Sequence, residues 1–203
     1  MSKRSEGTKR KPATALPRAT IRTLPAITTI AQARKFVLKE NVCLIFGSKK
    51  STLPSLWDAV TLPDRKPGEK GWGRKITAIW RWKNELPAEC PDEIFYGKLP
   101  GGLAMLMSLE HMRSEHYPKH HKSVADCSPL ARKIYGLIRC EPLTTPEIRR
   151  RLPVSSALTK SMIDRALVEL QITLNIVRSN APGLEYDTWL RFTDQYPAFA
   201  GLE

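Results

Sequence analysis

The sequence predicts a mainly helical α+β chain with small β-hairpins, and three observations lead there. Helical apolar spacing recurs along the 203 residues, broken by 16 prolines that keep each segment short. Two turn signals, PGG at 100–102 and RSNAPG at 178–183, lie between short β-prone runs. The order helix, strand, helix, helix, strand, turn, strand occurs twice, although the two copies share no sequence motif.

Residues 1–23 are polar, basic and interrupted by proline, which predicts an arm that is disordered in isolation. "TTIAQARKFVLKEN" then reads as a helix, with Thr29 as N-cap and Ile30, Ala33, Phe36, Val37 and Leu38 at helical spacing. "VCLIF", 42–46, is a buried strand by its apolar, β-prone run. A helix restarts near Pro54 with Leu56, Trp57 and Val60 on one side. "WGRKITAIWRWKNEL" fits two periods. Ile76, Ile79, Trp80 and Lys83 match a helix, while Ile76, Ala78, Trp80 and Trp82 match a strand, and the length of the run favours the helix. "EIFYGKL" and "LAMLMSL" flank the glycine pair as a hairpin, and "EHMRSEHYPKHHKSVAD" follows as a polar connector.

The second copy opens with Ser128 and Pro129 as N-cap and first turn of a helix carrying Leu130, Ile134, Leu137 and Ile138. Thr145 caps a short helix opened by Pro146 and stopped by Pro153, with Ile148 and Leu152 inside. A third helix runs from about Ser156 to Gln171, burying Ile163, Ala166, Leu167 and Leu170. "ITLNIV" is a strand, "LEY" its return strand, and Asp187 caps a last helix that packs Trp189, Leu190 and Tyr196 inward. This element order is that of a winged helix, in which the hairpin is the wing. The expected organisation is a basic arm at 1–23, a winged-helix-like domain at 24–108, a His-rich connector at 109–127 and a second winged-helix domain at 128–203.

Charge points to the partner. The chain carries 33 Lys and Arg against 20 Asp and Glu, a net charge of +13, and residues 1–22 hold seven cations against Glu6 alone. Such an excess favours duplex DNA, because each neutralised phosphate releases counterions. No run is long and apolar enough for a membrane, and the basic N-terminus lacks the apolar stretch of a secretory signal. The expected place is the cytoplasm, on the nucleoid. A protein partner is a third reading, since winged helices also bind proteins.

In helix-turn-helix relatives the third helix enters the major groove. Ser161, Arg165 and Val168 lie on the face opposite the buried stripe, with Lys160 and Asp164 at its edges. Arg149, Arg150 and Arg151 cluster beside the turn as phosphate contacts, and Arg178 and Asn180 mark the wing tip. Arg74 and Lys75 supply cations in the first domain, and Lys9, Arg10 and Lys11 supply them in the arm.

Other constellations lead to blander readings. His111, His116, His120 and His121 crowd together, but Pro118 interrupts the helical spacing that metal ligands would need. The tract reads instead as a solvated connector gaining charge just below neutral pH, with no metal and no cofactor expected. Trp72, Trp80, Trp82, Phe95 and Tyr96 among cations suit a stack on an extruded base, and suit a core better. Glu85 and Glu89 near Lys83 are ordinary surface charge by their spacing. The four cysteines form no C-x-x-C and read as free thiols. No P-loop, dinucleotide fingerprint, G-x-S-x-G or H-E-x-x-H is present, which disfavours NTPases, nucleotide oxidoreductases, α/β-hydrolases and zincins.

"FVLKENVCLIFGSKKSTLPSLWDAV", "IWRWKNELP", "FYGKL" and "SPLARKIYGLI…LTTPEIRR…IDRALVELQ" together resemble the AlkZ-related proteins, over roughly residues 28 to 197. These are short relatives of the winged-helix DNA glycosylases that act on damaged or crosslinked bases. The resemblance implies tandem winged helices and DNA as ligand. It transfers no catalytic residue: the glycosylases use Gln-x-Gln or Gln-x-Asp, and Gln32, Gln171 and Gln195 stand in no such triplet. Two expectations follow, an accessory DNA-binding protein first and a glycosylase second.

Overall fold

The computed structural model describes residues 24–152 and 158–201. The basic arm with Lys9, Arg10 and Lys11, and the start of the third helix at Ser156, lie outside the described residues.

Both halves are built on one plan. In the first, α1 (Ile30–Glu40), β1 (Val42–Leu44), α2 (Leu56–Ala59), α3 (Arg74–Glu89), β2 (Ile94–Lys98) and β3 (Ala104–Ser108) follow in order. In the second, α6 (Pro129–Cys140), β4 (Leu143–Thr144), α7 (Thr145–Arg151), α8 (Lys160–Ile172), β5 (Ile176–Arg178) and β6 (Thr188–Arg191) repeat that order, and α9 (Phe192–Gln195) follows. Each half has a three-stranded antiparallel sheet in which the last strand pairs with both others, β1-β3-β2 and β4-β6-β5. Between the halves lie α4 (Leu109–His111), a π-helical turn at Met112–His116 and α5 (Tyr117–His120).

Local chemistry sets the boundaries. Thr29 and Gln32 form a reciprocal capping box on α1, and its inner face is Ala33, Phe36 and Val37 as expected. β1 is shorter than the expected strand, and α2 is a single turn capped by Ser55 rather than entered through Pro54. Residues 74–89 are helical, so the helix reading of the ambiguous aromatic run holds. Gly101 and Gly102 take positive φ in the hairpin turn, as the PGG signal requires. On α7 the cap is Thr144, paired with Glu147, one residue earlier than expected. Thr145 instead accepts a hydrogen bond from the Trp189 indole at 2.9 Å.

The end of the chain departs further from expectation. The return strand is Thr188–Arg191, not Leu184–Tyr186, so Trp189 and Leu190 belong to the sheet. Asp187 caps nothing and pairs with Arg178 at 3.3 Å. The backbone closing α8 forms a Schellman turn: the Asn175 N–H donates to the Leu170 carbonyl and the Leu174 N–H to that of Gln171. Leucine, not glycine, holds the left-handed position there, at φ 56°, because its side chain is buried.

Each half has its own core. One is formed by Phe36, Leu56, Ile79, Trp82, Leu86 and Ile94 among others, the second by Ile134, Ile148, Ile163, Leu167, Leu170 and Trp189 among others. A third cluster joins them. Phe95, Met105 and Met107 of the first sheet pack with Met112 and Tyr117 of the connector and with Phe192, Tyr196 and Phe199 of the second half. The connector is therefore not a solvated loop. Met112, His116 and Tyr117 are buried, and the chain absorbs Pro118 by widening the preceding turn, where the Tyr117 N–H reaches back to the Met112 carbonyl. Among the described residues, no helix is long and apolar enough to cross a membrane.

Candidate functional site between the halves

A cleft of about 750 Å³ lies where the two halves meet. One wall is the outer face of α3, with Trp80, Arg81, Lys83, Asn84 and Glu85; Tyr96 of β2 forms the floor. The other wall is the β5–β6 loop from Arg178 to Asp187. Lys83 is at the centre. It lies in phase with the buried stripe Ile79, Trp82 and Leu86, and is only 6% exposed. Pro87, four residues on, lacks the N–H from which the Lys83 carbonyl would accept, so the helical ladder is interrupted beside this lysine.

Among the described residues the amine is held by a neutral amide and two aromatic rings. Its Nζ donates to Asn84 Oδ1 at 2.9 Å and sits 4.3 Å from the centroid of Trp80 and 5.1 Å from that of Tyr96. Arg178, from the other half, also lies 5.1 Å from the Tyr96 ring. Burial, with help from the Arg178 charge, lowers the Lys83 amine to about 8, against a weaker opposing pull from Asp187. Burial raises the Tyr96 phenol by the same logic. The mouth of the cleft is aromatic: Trp80 is 44% exposed and meets Trp72 edge-on at 5.6 Å, and Tyr186 faces it from the opposite loop.

The expected contact residues are distributed unevenly. Arg150 is the freest of the triple arginine at 78% exposed, with Glu147 no closer than 3.8 Å. Arg149 is committed to Asp164 at 2.6 Å, and Arg151 to Glu141 at 2.7 Å. Lys160, Ser161 and Arg165 are exposed on the first two turns of α8. Val168 is not on the same free face, since it approaches Gly102 of the first hairpin, and the C-terminal part of α8 packs on β2. Arg178 is 14% exposed and turned into the cleft rather than standing at a wing tip. Asn180 lines the same cleft and donates to the Tyr196 hydroxyl at 3.3 Å. Arg74 is exposed at the start of α3, and Lys75 lies over the Trp57 ring at 4.5 Å.

The histidine tract corrects the sequence reading. His116 is buried against His120, with ring centroids 4.3 Å apart, and burial lowers it to about 4, so it stays neutral through the mildly acidic range. Among the described residues, no three of His, Cys, Asp and Glu gather as metal ligands would. The aromatic reading divides: Trp82 and Phe95 are core, while Trp72 and Trp80 are exposed. Sequence reasoning passed over Lys83 as a site. The available signal was a lysine in step with an apolar helical stripe, where a surface charge does not belong.

A family model described as AlkZ related matches residues 27–186. The chain belongs to the AlkZ-related family. The match runs from the first half into the second as far as the β5–β6 loop, and it connects the protein to DNA repair. No curated protein and no solved structure matches the chain.

Proposed function

We propose that this AlkZ-related protein binds duplex DNA through tandem winged helices and serves DNA repair as an accessory factor. The observation that carries the reading is the repeated plan of the two halves, joined to the exposed N-terminal turns of α8. That end of the third helix bears Lys160, Ser161 and Arg165, with Arg150 beside it. N-terminal residues of such a helix are the ones that meet base edges, while neighbouring cations meet phosphate. The net charge of +13 supplies the long-range attraction.

The test is a salt titration of binding to a labelled duplex. The expected log–log slope is steep and negative. Arg150→Ala is expected to weaken binding to every sequence and to reduce the slope by about 1, whereas Arg151→Ala, whose guanidinium is already paired with Glu141, is expected to change it less. Affinity independent of salt would overturn the reading.

One observation favours a second reading, excision of a damaged base. Asn84 and Asp187, an amide and an acid, line with Lys83 a cleft between the halves that has aromatic walls. Release of base from alkylated or crosslinked duplex, scored by alkali cleavage, separates the two readings. Absence of abasic sites at high protein excess would remove the second.

A further inference from the structure

We propose that the Lys83 amine forms an imine with the aldehyde of a base-free deoxyribose held in the cleft between the halves. This rests on the reading that the protein binds DNA. Three features of the cleft support it independently of the DNA-contact residues on α8.

The first is the placement of the amine. Lys83 reaches the cleft from within, 6% exposed, fixed by Asn84 and by the Trp80 and Tyr96 rings. A lysine kept only for charge would be expected at the rim, in water or against a carboxylate. The second is reactivity. Only the neutral amine attacks a carbonyl, and desolvation beside another cation is the usual means of providing it. With the amine near 8, about a quarter is neutral at about pH 7.5. The third is shape. About 750 Å³ accommodates a nucleotide, and the exposed Trp80 and Tyr186 rings stand on opposite walls, where the bases flanking a gap in the stack can rest.

The substrate class follows from chemistry. Intact DNA offers a lysine no aldehyde. A sugar that has lost its base does, because its C1′ hemiacetal opens to one. Lys83 Nζ adds to C1′, the carbonyl oxygen takes up a proton, and after a second proton transfer that oxygen leaves as water, giving C1′=Nζ. The imine acidifies the C2′ hydrogen. Transfer of that proton to the Asp187 carboxylate, which lines the opposite wall and acts on the Lys83 amine, sends the C3′–O electron pair out with the phosphate oxygen. The strand is cut, and hydrolysis by water of the unsaturated imine returns the amine. Arg178 at 3.3 Å holds the Asp187 carboxylate on that wall.

The test uses the full chain and a duplex with a single abasic site. The mixture is treated with sodium cyanoborohydride, which reduces the imine to a stable secondary amine, and is analysed by denaturing gel and peptide mapping. The expected result is a covalent adduct whose modified peptide contains Lys83. Lys83→Arg keeps the charge and the ring contacts but forms no imine. It should bind the duplex within about 3-fold of wild type and trap at least about 50-fold less. The trapping rate should rise between about pH 7 and pH 8.5 as the amine loses its proton; Arg81, Glu85, Tyr96, Arg178, Glu185, Tyr186 and Asp187 are the charged or titratable groups lining the cleft with it. Mapping on the wild-type protein decides the matter even if the variant folds poorly. Duplex binding with no adduct, or adducts confined to other lysines, overturns the imine and leaves the proposed function standing. No binding to any duplex at low salt overturns the DNA reading, and the imine falls with it.

Discussion

Phe192→Ala should both destabilise the protein and loosen the union of its halves. The ring is 1% exposed and lies between rings from every part of the joint: Phe95 of the first sheet at 5.9 Å, Tyr117 of the connector at 5.5 Å, and Tyr196 and Phe199 each at 5.2 Å. Loss of the buried phenyl group forfeits about 3 kcal/mol of transfer energy. A void among stiff aromatic neighbours adds about 1 to 2 kcal/mol, because such rings collapse poorly into it. A total of about 4 to 5 kcal/mol is a large part of a typical domain's stability. The assay is urea unfolding followed by tryptophan fluorescence, which reports Trp82 in the first core and Trp189 in the second. Wild type should unfold in one transition and Phe192→Ala in two, while Phe192→Leu should lose about half as much stability. A cost below about 1.5 kcal/mol, or a leucine variant as damaged as the alanine one, would refute the view that this ring fills the joint.

Two further perturbations probe the connector and the turn after α8. His116 has its folded value lowered from 6.5 to about 4, so its contribution to stability is complete above about 6.5 and is lost as pH falls toward 4. His116→Phe should therefore flatten the decline in urea midpoint between about pH 6.5 and pH 4.5; an unchanged slope would show that the imidazole is hydrated. Leu174→Gly relieves a left-handed leucine, a gain of about 1 kcal/mol, but forfeits burial of about 2 to 3 kcal/mol and adds glycine's chain entropy. A net loss of about 2 kcal/mol in thermal or urea unfolding is expected, and a stabilised variant would refute the weighting.

The repeated order of elements was legible because helix caps and apolar spacing are local. Thr29 with Gln32, Ser128 with Pro129, and the stripe Ile163, Ala166, Leu167 and Leu170 announce their helices within one or two turns. The last strand was misplaced because Leu184 to Tyr186 and Thr188 to Arg191 are both β-prone, and only pairing with Leu143 and Ile176 selects the second. The connector was misread for a related reason. Its polar residues are real, but Met112 and Tyr117 face a surface that exists only once both halves are folded. Lys83 and Arg178, 95 positions apart in the chain, meet across one tyrosine, and no local pattern encodes that meeting.

The five-residue turn at Met112–His116 makes the segment sensitive to counting as well as to chemistry. Ser114 is exposed within it, so exchanging its side chain should matter little. Deleting it would draw the turn back to ordinary helical pitch and set the Pro118 ring against the carbonyl four residues before it, the clash that the wide turn avoids. That strain would fall beside Tyr117, whose ring packs on Phe192, Phe199 and His121. At this hinge, chain length is held more tightly than residue identity.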